Sequence, residues 1–278
     1  MKDSHCPTPL SYAAENGHAL TVQSLLESDS IDLDSVNVRN RTPLYWAAEH
    51  GRQETTQLLL CAGARIDIQD NMGCTPLINA AANRCDTVVK TFLEIGEVRL
   101  HTKDIYGQTP LSLAAVLGHD TAEQLLLNQP YIDLDSRSIN GYTSLSLAAA
   151  GGYKSVVQLL LAANGVDLDS RDINGATPLS RAAANGCKEV VQLLINTDRV
   201  NNDSREVKGL TPLYCAAING HASVVRMLLD ADDVDPEAKD IHDQTAYTSR
   251  SQGTYKCASD FAIFNSCHCI VFTDPRSP

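Results

Sequence analysis

The sequence predicts an all-α fold, a solenoid of stacked helix–turn–helix units, and three observations predict it. The tripeptide Thr-Pro-Leu begins at Thr8, Thr42, Thr75, Thr109, Thr177 and Thr211, with Thr143-Ser144-Leu145 as a one-residue variant. The step is 34 residues except for one of 33. An Ala-Ala pair begins three residues after each Leu, from Ala13-Ala14 to Ala216-Ala217. A second apolar-periodic segment closes each copy, clearest as Val156-Val157-Gln158-Leu159-Leu160-Leu161 and Val190-Val191-Gln192-Leu193-Leu194-Ile195. Self-similarity at such a period is the signature of a repeat architecture.

Each part of the unit has a physical reason. Thr is suited to the N-cap of a helix, and Pro directly after it fits the first helical position, where no amide donor is required. The small Ala-Ala pair allows close helix approach. Gly17, Gly51, Gly118, Gly152, Gly186 and Gly220 follow where a short helix needs a left-handed C-cap, so the first helix ends there. The apolar segment then reads as a second helix with one buried face. Connectors such as Val166-Asp167-Leu168-Asp169-Ser170-Arg171-Asp172-Ile173-Asn174-Gly175 are rich in turn formers and are expected to project as hairpin-like fingers.

This constellation closely resembles the ankyrin repeat, whose pattern runs D-x-x-G-x-T-P-L-x-x-A-A-x-x-G-H before an apolar helix. The resemblance implies an all-α ankyrin-repeat solenoid over residues 1–247, with units at about 3–36, 37–69, 70–103, 104–137, 138–171, 172–205 and 206–239 and a partial unit at 240–247. The connectors and the step look most like those of long fungal ankyrin arrays. Residues 248–278 are read as a non-repeat tail with apolar patches at Phe261-Ala262-Ile263-Phe264 and Ile270-Val271-Phe272. The tail is either a cap over the last unit or a sign that the chain is a piece of a longer protein.

Three departures stand out. The third unit has Arg84-Cys85 at the Gly-His turn, which forces a side chain into the left-handed region at a cost of about 1 kcal/mol. The second helix of the second unit carries Thr55-Thr56, and that of the fourth carries Ala122-Glu123, in place of Val-Val. Units two to four are therefore expected to be the softer half.

Composition bounds the function. A net charge of -12 with no run of Lys or Arg argues against nucleic acid as a partner. No apolar stretch reaches the length of a membrane span, and no signal peptide opens the chain. Nine scattered cysteines argue for reduced thiols. A cytoplasmic or nuclear monomer is expected.

No phosphate loop, nucleophile elbow or H-E-x-x-H motif occurs, so an enzyme is not expected, and neither a cofactor nor a catalytic residue is assigned. His18, His119 and His221 fall where the ankyrin family uses His to tie a turn to its neighbour. Cys267-His268-Cys269 with Cys257 makes a poor zinc set, because a second spaced ligand pair is missing. Asp32/Asp34, Asp133/Asp135 and Asp167/Asp169 lie in separate units, which suits a solvated acidic edge better than calcium. Tyr45, Trp46 and Tyr214 read as packing residues ahead of binding anchors.

The resemblance implies a protein-interaction scaffold whose fingers and first helices line a concave groove. Its changeable positions include Arg39, Arg41, His50, Met72, Tyr106, Gln108, Tyr142, Lys208 and Leu210. Met72, Tyr106, Tyr142 and Leu210 are expected to form an apolar track, flanked by Arg39 and Arg41 at one end and Lys208 at the other, unless they are ordinary scattered surface residues. The alternative is a recognition or sensor tail of a larger multidomain ankyrin protein. The partner's identity is not legible.

Overall fold

The computed structural model describes residues 8–28, 30–231 and 233–246. Fourteen helices occur among them: α1 Pro9–Asn16, α2 Ala19–Leu26, α3 Pro43–Glu49, α4 Gln53–Cys61, α5 Pro76–Ala82, α6 Asp86–Ile95, α7 Pro110–Leu117, α8 Asp120–Leu127, α9 Ser144–Gly151, α10 Lys154–Ala162, α11 Pro178–Ala184, α12 Lys188–Ile195, α13 Pro212–Ile218 and α14 Ala222–Leu229. They fall into two compact bodies. The first comprises residues up to Ala114 together with Thr121–Ile132, and the second Ala115–Asp120 with Asp133 onward.

The helix heads follow their chemistry. Each unit's Thr accepts the backbone N–H three residues on, as Thr42 does from Tyr45 at 3.1 Å and Thr177 from Ser180 at 3.3 Å. This satisfies a donor that the first turn would otherwise orphan. Within the first body α1 packs on α3 and α3 on α5, while α2 packs on α4 and α4 on α6. Within the second, α9 packs on α11 and α11 on α13, with α10 on α12 and α12 on α14. The Ala-Ala pairs lie in these seams, and Ala47, Ala48, Ala182 and Ala183 are fully buried. Val156, Val157, Leu160, Val190, Val191 and Leu194 supply the apolar face of the second helices.

The turn between the two helices needs glycine twice over. Gly118 has φ +68, and a Cβ there would meet the ring of Tyr153 at 2.3 Å. Gly186 likewise leaves room for His221, whose Nε2 lies 3.0 Å from the Ala184 carbonyl. His221 thus ties its turn to the preceding unit. Other units do this with different side chains: Arg52 Nε donates to the Glu15 carbonyl at 2.9 Å, and the Cys187 thiol lies 3.6 Å from that of Ala150.

In the third unit Arg84 adopts φ +58, the expected strained cap. Among the polar substitutions, Thr55, Thr56 and Glu123 are buried, and their side-chain oxygens have no hydrogen-bond partner. Cys61, Cys85, Cys187 and Cys215 are thiols. The tail patches and Cys257, Cys267, His268 and Cys269 lie outside the described residues.

Candidate functional site

Most of the described fingers are built by one turn residue. Asp70 Oδ1 accepts from the N–H groups of Met72 at 2.8 Å and Cys74 at 3.0 Å. Asn37, Asp104, Asp172 and Asp240 repeat this two-and-four pattern, and Ser138 makes the second bond alone, through Oγ to Tyr142 N. The side chain replaces a turn of backbone bonding, as an Asx-turn does. Neighbouring fingers join through their backbones: Asn71 N to Arg39 O and Ile105 N to Met72 O in the first body, with Ile173 N to Asn140 O, Val207 N to Asn174 O and Ile241 N to Lys208 O in the second.

This geometry decides which finger side chains reach solvent. The side chain of the residue just before the cap Thr lies beneath the finger, and in Arg41, Gln108 and Tyr142 the N–H is held by the turn residue. Arg41, Gln108, Tyr142 and Leu210 occupy this position and are all buried, which corrects their assignment to an exposed contact surface. Gln108 accepts from Ser112 Oγ at 2.6 Å, and Leu210 packs with Ala184, Tyr214 and Ala246. The proposed apolar track does not form, since Met72 and Tyr106 are only half-buried and Tyr142 and Leu210 face inward. Arg39 and Lys208 are exposed. His50 is half-buried, stacked on Trp46 with Nδ1 3.0 Å from the Trp46 carbonyl.

The buried charges instead join first helices to fingers. Arg41 lies 3.4 Å from Asp70 and 3.5 Å from Glu49, with its guanidinium 4.7 Å from the Tyr45 ring centre and 5.2 Å from that of Trp46. Tyr45 donates its hydroxyl proton to Asp70 at 3.1 Å, and Tyr214 does the same to Asp240. Burial pushes the Tyr45 hydroxyl and the Glu49 carboxyl above their usual values, and the Arg41 charge opposes both shifts. In the second body Arg181 pairs with Asp172 and lies 5.0 Å from the Tyr142 ring centre. These aromatic residues are core linkers, as the packing reading of Tyr45 and Tyr214 expected.

The connector acids also form a ladder. Asp135 accepts from Asp167 N and Asp169 from Asn201 N, each through both carboxylate oxygens at 3.1–3.2 Å. Partial burial raises both carboxyls, and the backbone bonds offset part of the rise. Among the described residues no group of three or more His, Cys, Asp or Glu side chains could hold a metal ion, and no helix is long and apolar enough to cross a membrane.

The exposed positions are the ones next to the turn residue. Val38, Ile105, Ile139, Ile173, Val207 and Ile241 share this place in their fingers, and all are solvent-facing. Of this column sequence reasoning picks out Ile105 alone, although its β-branched residues recur in register and are visible as a motif.

Paired short helices, capped by Thr and joined by backbone-linked fingers, define a helical-repeat scaffold. The family described as Ankyrin repeats (3 copies) matches residues 1–70, 63–138 and 145–240, and the chain belongs to it as an all-α ankyrin-repeat protein. Ankyrin repeats are in general protein–protein interaction modules. No curated protein matches the sequence.

Proposed function

We propose that the chain is a non-catalytic interaction scaffold that binds a protein partner across its finger tips. The observation that supports this is the aliphatic column of the second body. Ile139, Ile173, Val207 and Ile241 are 63–73% exposed in four successive fingers. Turn chemistry asks for none of these side chains, and leaving them in water forgoes the burial that a partner would supply.

Beside them runs a basic rail. Arg137, Arg171, Arg205 and Lys239 are exposed one residue before each turn residue. Three of them also stiffen the row, each guanidinium donating to the carbonyl of the next rail residue. The rail suits an extended partner segment that combines aliphatic and acidic side chains. Lys208, in the same body, adds a contact to this surface, while Arg39, Met72 and Tyr106 offer contacts on the fingers of the first body.

The test is a displayed peptide library selected on the full chain. Enrichment of segments with alternating aliphatic and acidic residues is expected. Replacing Ile139, Ile173, Val207 and Ile241 by Ser abolishes that enrichment while leaving the unfolding midpoint nearly unchanged, because exposed substitutions shift stability by only about 0.5 kcal/mol each. Undiminished selection by the four-Ser variant, or loss of selection on changing Gln158 and Gln192 on the second helices instead, defeats the proposal.

A further inference from the structure

One connector of the second body breaks the chemistry of the repeat. Nine residues before the cap Thr, the earlier connectors carry an aliphatic side chain, Leu33, Ile66, Leu100, Leu134 or Leu168, and each of these is buried or half-buried. Ahead of Thr211 the same place is taken by Asn202.

Asn202 is only 6% exposed. Its Nδ2 donates to Asp233 at 2.9 Å, across the seam to the next connector. That bond fixes the amide, since the flipped form would set Oδ1 against a carboxylate oxygen. Oδ1 is thereby left buried with no hydrogen-bond partner. Such an acceptor is costly unless a donor reaches it.

The unpartnered acceptor belongs to the wall of a cavity of about 520 Å³, which Asp198, Asp230 and Asp233 line together with the apolar Ile195 and Met227. Among the described residues, every charged side chain on this wall is an aspartate. The C-terminal ends of α12 and α14 border the cavity as well, and helix C-termini carry partial negative charge. The cavity therefore asks for a cation with several donors. Among the described residues no three acidic, His or Cys side chains gather closely enough to hold a metal ion.

The preceding seam shows which cation fits. Asp233 stands at the register position of Arg199, twelve residues before the cap Thr. Arg199 reaches across its own seam and donates through Nη2 to the Val166 carbonyl at 3.3 Å. The guanidinium that one seam supplies from within is exchanged in the next for a carboxylate. A guanidinium offers five N–H donors in a planar fork, so one group can serve several acceptors at once.

We infer that this cavity binds an alkylguanidinium from outside the chain, its donors shared among Asp198, Asp230, Asp233 and Asn202 Oδ1 and its aliphatic stem laid on Ile195 and Met227. The group is the side chain of an arginine in a partner protein or belongs to a free small molecule; the recognition chemistry is the same. The site shares no residue with the finger-tip surface and stands independently of it.

The experiment is calorimetric titration of the full chain with agmatine, a free alkylguanidinium, and with a blocked tripeptide centred on arginine. Saturable binding is expected. Tighter binding of the tripeptide supports a partner's arginine, and tighter binding of agmatine supports a small molecule. Asn202→Leu, which restores the repeat's own residue, should weaken binding about tenfold or more by removing the buried acceptor. Asp233→Arg should do the same by supplying the guanidinium from within, as Arg199 does. Both variants should keep the wild-type unfolding midpoint, because one restores an aliphatic plug and the other changes an exposed position. Butylamine, with a point-like ammonium in place of the fork, should bind about tenfold more weakly than agmatine. Glu189→Gln removes one negative charge at the other end of α12 and should leave the affinity unchanged. Absence of saturable binding by both probes overturns the inference. Undiminished binding by the Asn202→Leu and Asp233→Arg variants does so too, as does an equal loss in Glu189→Gln, which marks general attraction to an acidic chain.

Discussion

The second helices of the two bodies share one backbone plan and differ in what they bury. In the second body α10 and α12 place Val156-Val157 and Val190-Val191 in the seam. In the first, α4 places Thr55-Thr56 there and α8 places Ala122-Glu123. All four pairs are buried, so the difference is one of chemistry and not of exposure. Glu123 is the extreme case, because its carboxyl has no hydrogen-bond partner and burial pushes its pKa well above the usual value. Repeat proteins sum the stabilities of their units and interfaces, so the expectation from interior polar groups concentrated in one body is that this body opens first.

Exchanging the two interiors tests this most severely. Val191→Glu should cost about 3–5 kcal/mol, since it puts a new ionisable group at a fully buried position. The reverse change, Glu123→Val, should stabilise the chain by about 1–3 kcal/mol by removing an unsatisfied buried group.

The gain has a defined pH dependence. Below the ordinary value of 4.5 the carboxyl is protonated in both folded and unfolded chains, and the penalty is small. Above it the unfolded chain releases its proton while the folded chain retains it, so stability falls as pH rises toward the elevated folded value. Denaturant titrations at pH 4 and pH 8 should therefore show a larger benefit of Glu123→Val at pH 8. Equal benefits at both values would mean that Glu123 is solvated in the folded chain.

The same contrast explains what the sequence could reveal. Thr caps, Pro at the first helical position and turn glycines act within four residues, so the helices and their boundaries were legible from local chemistry. Arg84 was legible for the same reason, since its place in the register alone demands a positive φ. The finger surface was not, because side-chain direction there depends on which neighbour the finger rests upon. Val38 and Arg41 are three residues apart in one finger, yet the first faces solvent and the second lies under the loop against Asp70, Tyr45 and Trp46. A charged residue beside a turn reads as surface until the buried Asp and the aromatic rings that receive it are placed around it.

Smaller changes refine the comparison within the first body. Thr55→Val with Thr56→Val should add about 1–2 kcal/mol, since each hydroxyl is buried without a partner and Val has nearly the same shape. Hydrogen exchange should locate the gain in α4 and its neighbours α2 and α6, and a gain spread evenly over α9–α14 would count against separate stabilities for the two bodies.

Arg84→Gly should yield the least, about 1 kcal/mol, by relieving the left-handed conformation less the extra entropy that glycine loses on folding. Because Arg84 is exposed at φ +58, little packing is surrendered with the side chain. A thermal melt reads this directly. If Arg84→Ala stabilises as much as Arg84→Gly, the strain lies in the arginine side chain and not in the backbone angle. If only Gly helps, the third unit's softness has a backbone component distinct from the buried polar groups on either side of it.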